Sequence, residues 1–172
     1  MSEKIKELGE LTSIVRRAKE AGKGVVFTNG CFDLLHGGHL HLLREAKKLG
    51  DLLIVGMNSD ESIRQIKDPG RPILAEEERA ELLAALEMVD FVVVFSEPDP
   101  SRVIRELGPD VLVKGGDWSK DKIIGGDTVE QRGGTIAVIP TLPGYSTTKI
   151  IEKIRQGTSW QEFAQSAVKD NR

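Results

Sequence analysis

Five short runs of apolar, largely β-branched residues punctuate the chain: Val25-Val26-Phe27, Leu52-Leu53-Ile54-Val55-Gly56, Phe91-Val92-Val93-Val94-Phe95, Val111-Leu112-Val113 and Thr135-Ile136-Ala137-Val138-Ile139. Runs this short and continuous suit strands covered on both faces. Helical spacing fills the gaps. From Gly38 to Leu49 the apolar positions are Leu42, Leu43, Ala46 and Leu49. From Glu76 to Leu86, acids open the segment, and Leu82, Leu83, Ala85 and Leu86 come after them. From Pro100 to Leu107, Asp99 precedes a proline at the first helical position. A last helix opens near Thr147 and carries Ile150, Ile151 and Ile154. Strand and helix thus alternate, which predicts an α/β domain with a parallel sheet of about five strands and helices on both sides.

At 172 residues the chain suits one compact domain. Residues 23–156 hold the alternating core. Residues 1–22 form an N-terminal amphipathic helix pattern through Leu8, Leu11, Val15 and Ala18, expected to cover the core. Residues 157–172 read as a C-terminal helical extension, in which Ser159-Trp160-Gln161-Glu162 resembles a capping box. In a Rossmann-like doubly wound sheet, ligands bind beyond the carboxyl ends of the strands. That rule places Thr28 to Asp33, Asn58 to Asp60, Ser96 to Asp99 and Lys114 to Trp118 on the binding edge.

Several function classes are disfavoured. A net charge of -3 and a pI near 5.7 oppose nucleic-acid binding through a strong basic field. A single cysteine, Cys31, excludes an intrachain disulfide and fits a reducing cytoplasm. No apolar run is long enough for a membrane helix, and the charged start does not read as a signal peptide. Neither a G-x-G-x-x-G after the first strand nor a G-x-x-x-x-G-K-[ST] is present, which disfavours dehydrogenases and P-loop ATPases.

The first strand instead runs into Thr28-Asn29-Gly30-Cys31-Phe32-Asp33-Leu34-Leu35-His36-Gly37-Gly38-His39. Gly30 permits a sharp turn after the strand. Gly37 and Gly38 leave helix-start N–H groups bare, where the helix dipole favours an anion. His36 and His39, three apart, fall on one side of that start. Together they form a donor cluster suited to phosphate oxygens. Satisfied surface or core histidines, or a metal held by Asp33, His36 and His39, are alternatives; the metal lacks a supporting Cys or Glu. Cys31 has no evident Cys-His-acid arrangement for covalent catalysis.

This run resembles the signature of the cytidylyltransferase-like nucleotidyltransferases, and most closely their heptose 1-phosphate adenylyltransferase branch. The resemblance extends from about Gly24 to Arg155, through Asn58-Ser59-Asp60-Glu61-Ser62, Gly70-Arg71-Pro72-Ile73, Glu78-Arg79-Ala80, Val89-Asp90-Phe91-Val92-Val93, Pro109 to Asp117 and Ser146-Thr147-Thr148-Lys149-Ile150. It departs at Pro140 to Tyr145, where glycerol 3-phosphate cytidylyltransferases carry a run beginning with Arg. The resemblance implies transfer of AMP from ATP to a heptose 1-phosphate, giving an ADP-heptose and pyrophosphate for an envelope glycan such as lipopolysaccharide. It implies His36, His39 and Lys67 as catalytic residues. It implies nucleotide contacts from Thr28, Asn29, Gly30, Cys31, Phe32, His36, His39, Arg79, Lys114, Gly115, Asp117, Ser146, Thr147 and Thr148. Asp33, Asn58, Asp60 and Lys67 would meet the sugar phosphate, with Asp33 also able to orient a histidine or lysine or to help hold hydrated Mg²⁺. Mg²⁺ is the expected cofactor, its protein ligands unknown, and a homodimer is expected. Because no second domain for a sugar kinase is evident, a separate kinase is expected upstream. Transfer of CMP to a polyol phosphate and a non-catalytic nucleotide-binding module are the competing readings.

Overall fold

A computed structural model describes residues 2–116, 118–119 and 122–156 of the chain. The expected C-terminal extension, 157–172, lies outside them. Five strands, β1 (Val25–Gly30), β2 (Leu52–Asn58), β3 (Phe91–Phe95), β4 (Val111–Gly115) and β5 (Thr135–Ile139), pair in parallel in the order β3-β2-β1-β4-β5. The chain winds outward from β1 to β3, then returns to lay β4 on the other side of β1. The crevice between β1 and β4 is therefore the switch point of the sheet.

Alternation along each strand divides the core in two. Val25 and Phe27 face one layer with Leu11 and Val15 of α1 (Leu8–Glu20). Val26 faces the other with Leu43 and Ala46 of α2 (Gly37–Lys47). The first layer also takes Val103, Ile104 and Leu107 of α5 (Ser101–Leu107) and Val129 of α6 (Gly126–Gln131). The second takes Ala80, Leu83 and Ala84 of α4 (Glu76–Ala84). Leu11 is 0% exposed, so α1 covers the core. Ahead of it, Lys6 N–H donates to Val92 O and Val92 N–H donates to Lys4 O, both at 2.9 Å, so the chain start pairs with the outer edge of β3.

Two short helices lacked a sequence signal: α3 (Asp60–Ile66) and α6. In α3 the cap is Ser59, whose Oγ accepts the Ser62 N–H at 3.1 Å. The helix expected from Pro100 starts one residue later, and Asp99 Oδ1 accepts the Ser101 N–H at 2.8 Å. The last helix, α7, spans Thr147–Gln156.

The amino edge of the sheet is tied by three aspartates. Asp51 accepts the Gly24 N–H at 2.7 Å, Asp90 the Leu53 N–H at 2.7 Å and Asp110 the Val25 N–H at 2.8 Å. Inside the sheet, Gly56 leaves room for the Phe27 ring. A Cβ at Gly56 would lie 2.5 Å from Phe27 Cζ and 3.3 Å from Asn29 Cβ. Gly56→Ala is expected to lower the unfolding free energy by about 1–3 kcal/mol, the usual range for overpacking, read from the midpoint of urea denaturation.

Candidate active site

The carboxyl end of β1 turns sharply. Phe32 has φ 45°, in the left-handed region that a non-glycine residue seldom occupies. Its buried ring closes over Gly30, where a Cβ would lie 3.2 Å from Phe32 Cε2. The turn delivers His36 in an extended conformation as the residue before α2, with no side-chain cap on the helix. His39 N–H and Leu40 N–H donate to His36 O at 2.9 and 3.2 Å, which closes the first turn. The helix start thus presents its positive dipole end to the crevice without a carboxylate to neutralise it.

The two imidazoles stack, with ring centroids 3.8 Å apart and planes 17° from parallel. Phe32 supports His39 from another direction at 5.1 Å. The Nδ1 atoms of both histidines are buried and have no hydrogen-bond partner. Burial, and then the charge of His36, push the His39 pKa down to about 4; burial likewise lowers that of His36. Burial thus favours the neutral form of both rings, in which each imidazole carries one N–H donor.

A cavity of ≈ 360 Å³ opens in front of these rings. The end of β1 contributes Asn29, Gly30, Cys31 and Phe32, and α2 contributes His36, Gly38, His39 and Leu42. Lys114, Gly115 and Trp118 line it from the end of β4 and beyond. The segment from β5 to α7 supplies Ile139 to Leu142, Tyr145, Ser146 and Thr147. Two helix starts therefore converge on one space. Ser146 Oγ accepts the Lys149 N–H at 3.1 Å, capping α7, and Thr147 Oγ1 donates to Leu34 O at 3.4 Å. Lys114 Nζ donates to Asn29 Oδ1 at 2.6 Å, and burial pushes its pKa down to about 8.

Ten of the residues expected to contact nucleotide line this cavity: Asn29, Gly30, Cys31, Phe32, His36, His39, Lys114, Gly115, Ser146 and Thr147. Thr28 is fully buried within β1 and Thr148 is exposed on α7; neither lines it. Asp117 lies outside the described residues. Burial raises the Cys31 thiol above its ordinary pKa, which keeps it protonated and a poor nucleophile.

The structure places Arg79 differently from the expectation that it faces a triphosphate. The residue is 0% exposed. Its Nη1 donates to Cys31 O at 2.6 Å and Asn58 O at 2.9 Å, its Nε to Leu74 O at 3.1 Å and its Nη2 to Asp60 Oδ1 at 2.7 Å. The guanidinium is thus committed behind the cavity wall. Asp33 is buried as well, and its carboxylate is engaged by the segment that lines a second cavity. It is 1% exposed, pairs with Arg71, and accepts the Ile73 and Leu74 N–H groups at 2.8 and 3.0 Å. It therefore orients an arginine and a loop, where a histidine, lysine or metal was expected. Asn58 is buried and donates to Ser62 Oγ at 2.9 Å, while Asp60 is held by Arg79 and borders a second cavity of ≈ 440 Å³. Lys67 is exposed just after α3 and lines neither cavity.

Leu42, Ile139 to Leu142 and Tyr145 also line the cavity without having been expected there, and Trp118, placed on the binding edge by the strand-end rule, had no role assigned to it. Trp118 and Tyr145 are 53% and 44% exposed, and large aromatics left open beside a cavity are surfaces for a flat ligand. Their signal was an aromatic residue next to glycine-containing turns at Gly115-Gly116 and Gly144.

Comparison with known proteins agrees with this architecture. The Cytidylyltransferase-like family model matches residues 27–153. Bifunctional protein HldE of Geotalea uraniireducens is 53% identical over 155 residues, covering 90% of this chain and 32% of that protein. Bifunctional protein HldE of Geobacter sulfurreducens is 52% identical over 151 residues, covering 88% of this chain and 31% of that protein. The chain thus spans about a third of the length of these relatives. Among solved structures, the lipopolysaccharide core biosynthesis protein from Thermoplasma volcanium superimposes with a TM-score of 0.58 at 30% identity, covering 70% of this chain and 97% of that one. The pantoate-beta-alanine ligase of Francisella tularensis shares the fold alone, with a TM-score of 0.55 at 17% identity over 98% of this chain and 86% of that one. With the family match spanning most of its length and the signature turn lying within it, the chain belongs to the cytidylyltransferase-like family.

Proposed function

We propose that the chain is a nucleotidyltransferase that transfers AMP from ATP to a heptose 1-phosphate, forming an ADP-heptose and pyrophosphate for an envelope glycan such as lipopolysaccharide. The observation that carries this reading is the stacked pair His36 and His39 at an uncapped helix start, inside a cavity that a second helix start also enters. Bare helix N–H groups and neutral imidazole donors suit the oxygens of a polyphosphate. The half-identical HldE relatives and the lipopolysaccharide core biosynthesis neighbour support the heptose acceptor.

In the proposed reaction a phosphate oxygen of the acceptor attacks the α-phosphorus of ATP in line. The new O–P bond forms as the bond to the β-phosphate bridging oxygen breaks, and pyrophosphate departs. The acceptor phosphate is already ionised at neutral pH, so no strong general base is required. The chain's tasks are alignment and stabilisation of growing negative charge. His36 and His39 donate to the phosphoryl oxygens, the start of α7 holds the outer phosphates, and Lys114 with Gly115 borders the nucleoside. Lys67 would approach the phosphates from its exposed position after α3. Among the described residues, no group of three or more His, Cys, Asp or Glu could hold a metal ion. Mg²⁺ is proposed to arrive with the nucleotide as MgATP, where it would act as a Lewis acid on the phosphates. Anomeric phosphorylation of a sugar must supply the acceptor, and a homodimer is the proposed assembly.

The decisive experiment is pyrophosphate release measured across a matrix of nucleoside triphosphates and phosphate acceptors with Mg²⁺. ATP with heptose 1-phosphate is expected to turn over fastest. CTP with glycerol 3-phosphate as the best pair would overturn the reading, and so would tight ATP binding without release for any acceptor. His36→Ala and His39→Ala are each expected to reduce kcat by about 10²–10³, the usual cost of losing one donor at developing charge, while thermal unfolding barely moves. Near-normal turnover in both would sink the assignment.

Lys114 gives a pH prediction. Its ammonium form attracts the nucleotide and is lost as pH rises through about 8. The kcat/KM for ATP is expected to fall above that pH, approaching about tenfold per unit. Lys114→Met should lower kcat/KM at pH 7 and abolish this alkaline limb. A wild-type profile flat to about pH 10, well above that transition, would remove Lys114 from the nucleotide site.

A further inference from the structure

Tyr145 immediately precedes the Ser146 cap of α7, yet its ring reaches the start of α2. A Cβ built on Gly37 would lie 2.8 Å from Tyr145 Cε1 and 3.3 Å from both Cδ1 and Cζ. A Cβ on Gly38 would lie 3.1 Å from Tyr145 Cβ. The tyrosine ring stands 6.4 Å from that of His36, with planes 29° apart. It lines the main cavity and remains 44% exposed, so much of its surface has no protein partner. A side chain at Gly37 would require the ring to shift from its place against the first turn of α2. The glycine and the aromatic ring are therefore sterically matched across two segments more than a hundred residues apart in sequence.

We propose that Tyr145 is a nucleotide-contacting wall of the cavity, and that Gly37 is bare so that this ring can lie against the start of α2. The inference rests on the proposed function and adds to it a residue that closes the space between the two helix starts. The ring brings a flat, weakly hydrated surface to the cavity beside His36. Seated there, it excludes water from the phosphate-binding donors and offers a face to the bound nucleotide. Its anchoring at the cap of α7 couples its position to the helix start that holds the outer phosphates.

The test is a double-mutant cycle read by calorimetric binding of MgATP, with kcat and KM measured alongside and thermal unfolding as the control for folding. Tyr145→Ala is expected to weaken MgATP binding about tenfold, the scale of one aromatic contact with a nucleotide, with a smaller effect on kcat. Tyr145→Phe retains the ring and should recover most of that affinity. Gly37→Ala should weaken binding similarly by displacing the ring, and Gly37→Ala/Tyr145→Ala should bind no worse than Tyr145→Ala alone. Unchanged MgATP affinity in a folded Tyr145→Ala protein overturns the proposal, as do penalties at the two positions that add in full. A wild-type protein that binds no nucleoside triphosphate overturns the catalytic reading itself, and this inference with it.

Discussion

The guanidinium of Arg79 holds together the pieces from which the site is built. It reaches the carbonyl of Cys31 in the turn after β1, that of Asn58 at the end of β2, that of Leu74 before α4, and the carboxylate of Asp60 at the start of α3. Burying a charge is costly unless it is paired and hydrogen-bonded, and here the planar fork meets a carboxylate and three oriented carbonyls. Those contacts fix where β1 ends and how the chain leaves it. The exit direction sets the axis of α2, and hence where His36 and His39 stand. Asp33 acts in the same way one step outward, fastening Arg71 to Leu74 against the signature turn. The residues nearest the cavity are thus supported by ionised residues that do not enter it.

That division explains which parts of the structure were legible in the sequence. The five strands were visible because each is a continuous apolar run, and parallel sheets covered on both faces require such runs. The turn carrying His36 and His39 was visible because glycines and imidazoles sit together after a strand. The helices α3 and α6 were not, since each buries only two residues, whereas the equally short α5 buries three and announces its start with Asp99 and Pro100. Arg79, Asp33, Asn58 and Asp60 announced themselves as polar residues near a phosphate-type motif, but not as one another's partners. Asp33 meets amides about forty residues away, and no local pattern encodes such a contact. The family resemblance pointed to these side chains; only their burial and partners reveal that they brace the cavity wall from behind.

The electrostatics of the cavity obey a related logic. The proposed polyanion site lies in a chain of net charge -3 and is not lined by a cluster of cations. Burial lowers the pKa of His39 and His36, favouring the neutral rings, and lowers that of Lys114 to about 8. Two stacked imidazoles at 3.8 Å would repel if both were protonated, so the stack itself requires at least one neutral ring. Attraction then comes from helix ends and N–H donors, whose strength rises as water is excluded. An incoming anion also favours protonation of the nearest imidazole, which allows the donors to strengthen as charge develops.

All of this is a consequence of running five strands in one direction. Parallel alignment puts the amino ends of all five strands at one edge of the sheet and their carboxyl ends at the other. The chain answers the first edge with Asp51, Asp90 and Asp110, and the second with Arg79 on Cys31 O and Asn58 O. The acids consume donors of the amino edge and make it unwelcoming to an anion. At the carboxyl edge Arg79 meets two carbonyls, and the helices that come after β1 and β5 begin there, α2 with no side-chain cap and α7 capped by Ser146. The winding reverses between β1 and β4, and the cavity opens there between those two helix starts. The anion site proposed above lies at that point, where the two helix starts face each other across the end of the sheet.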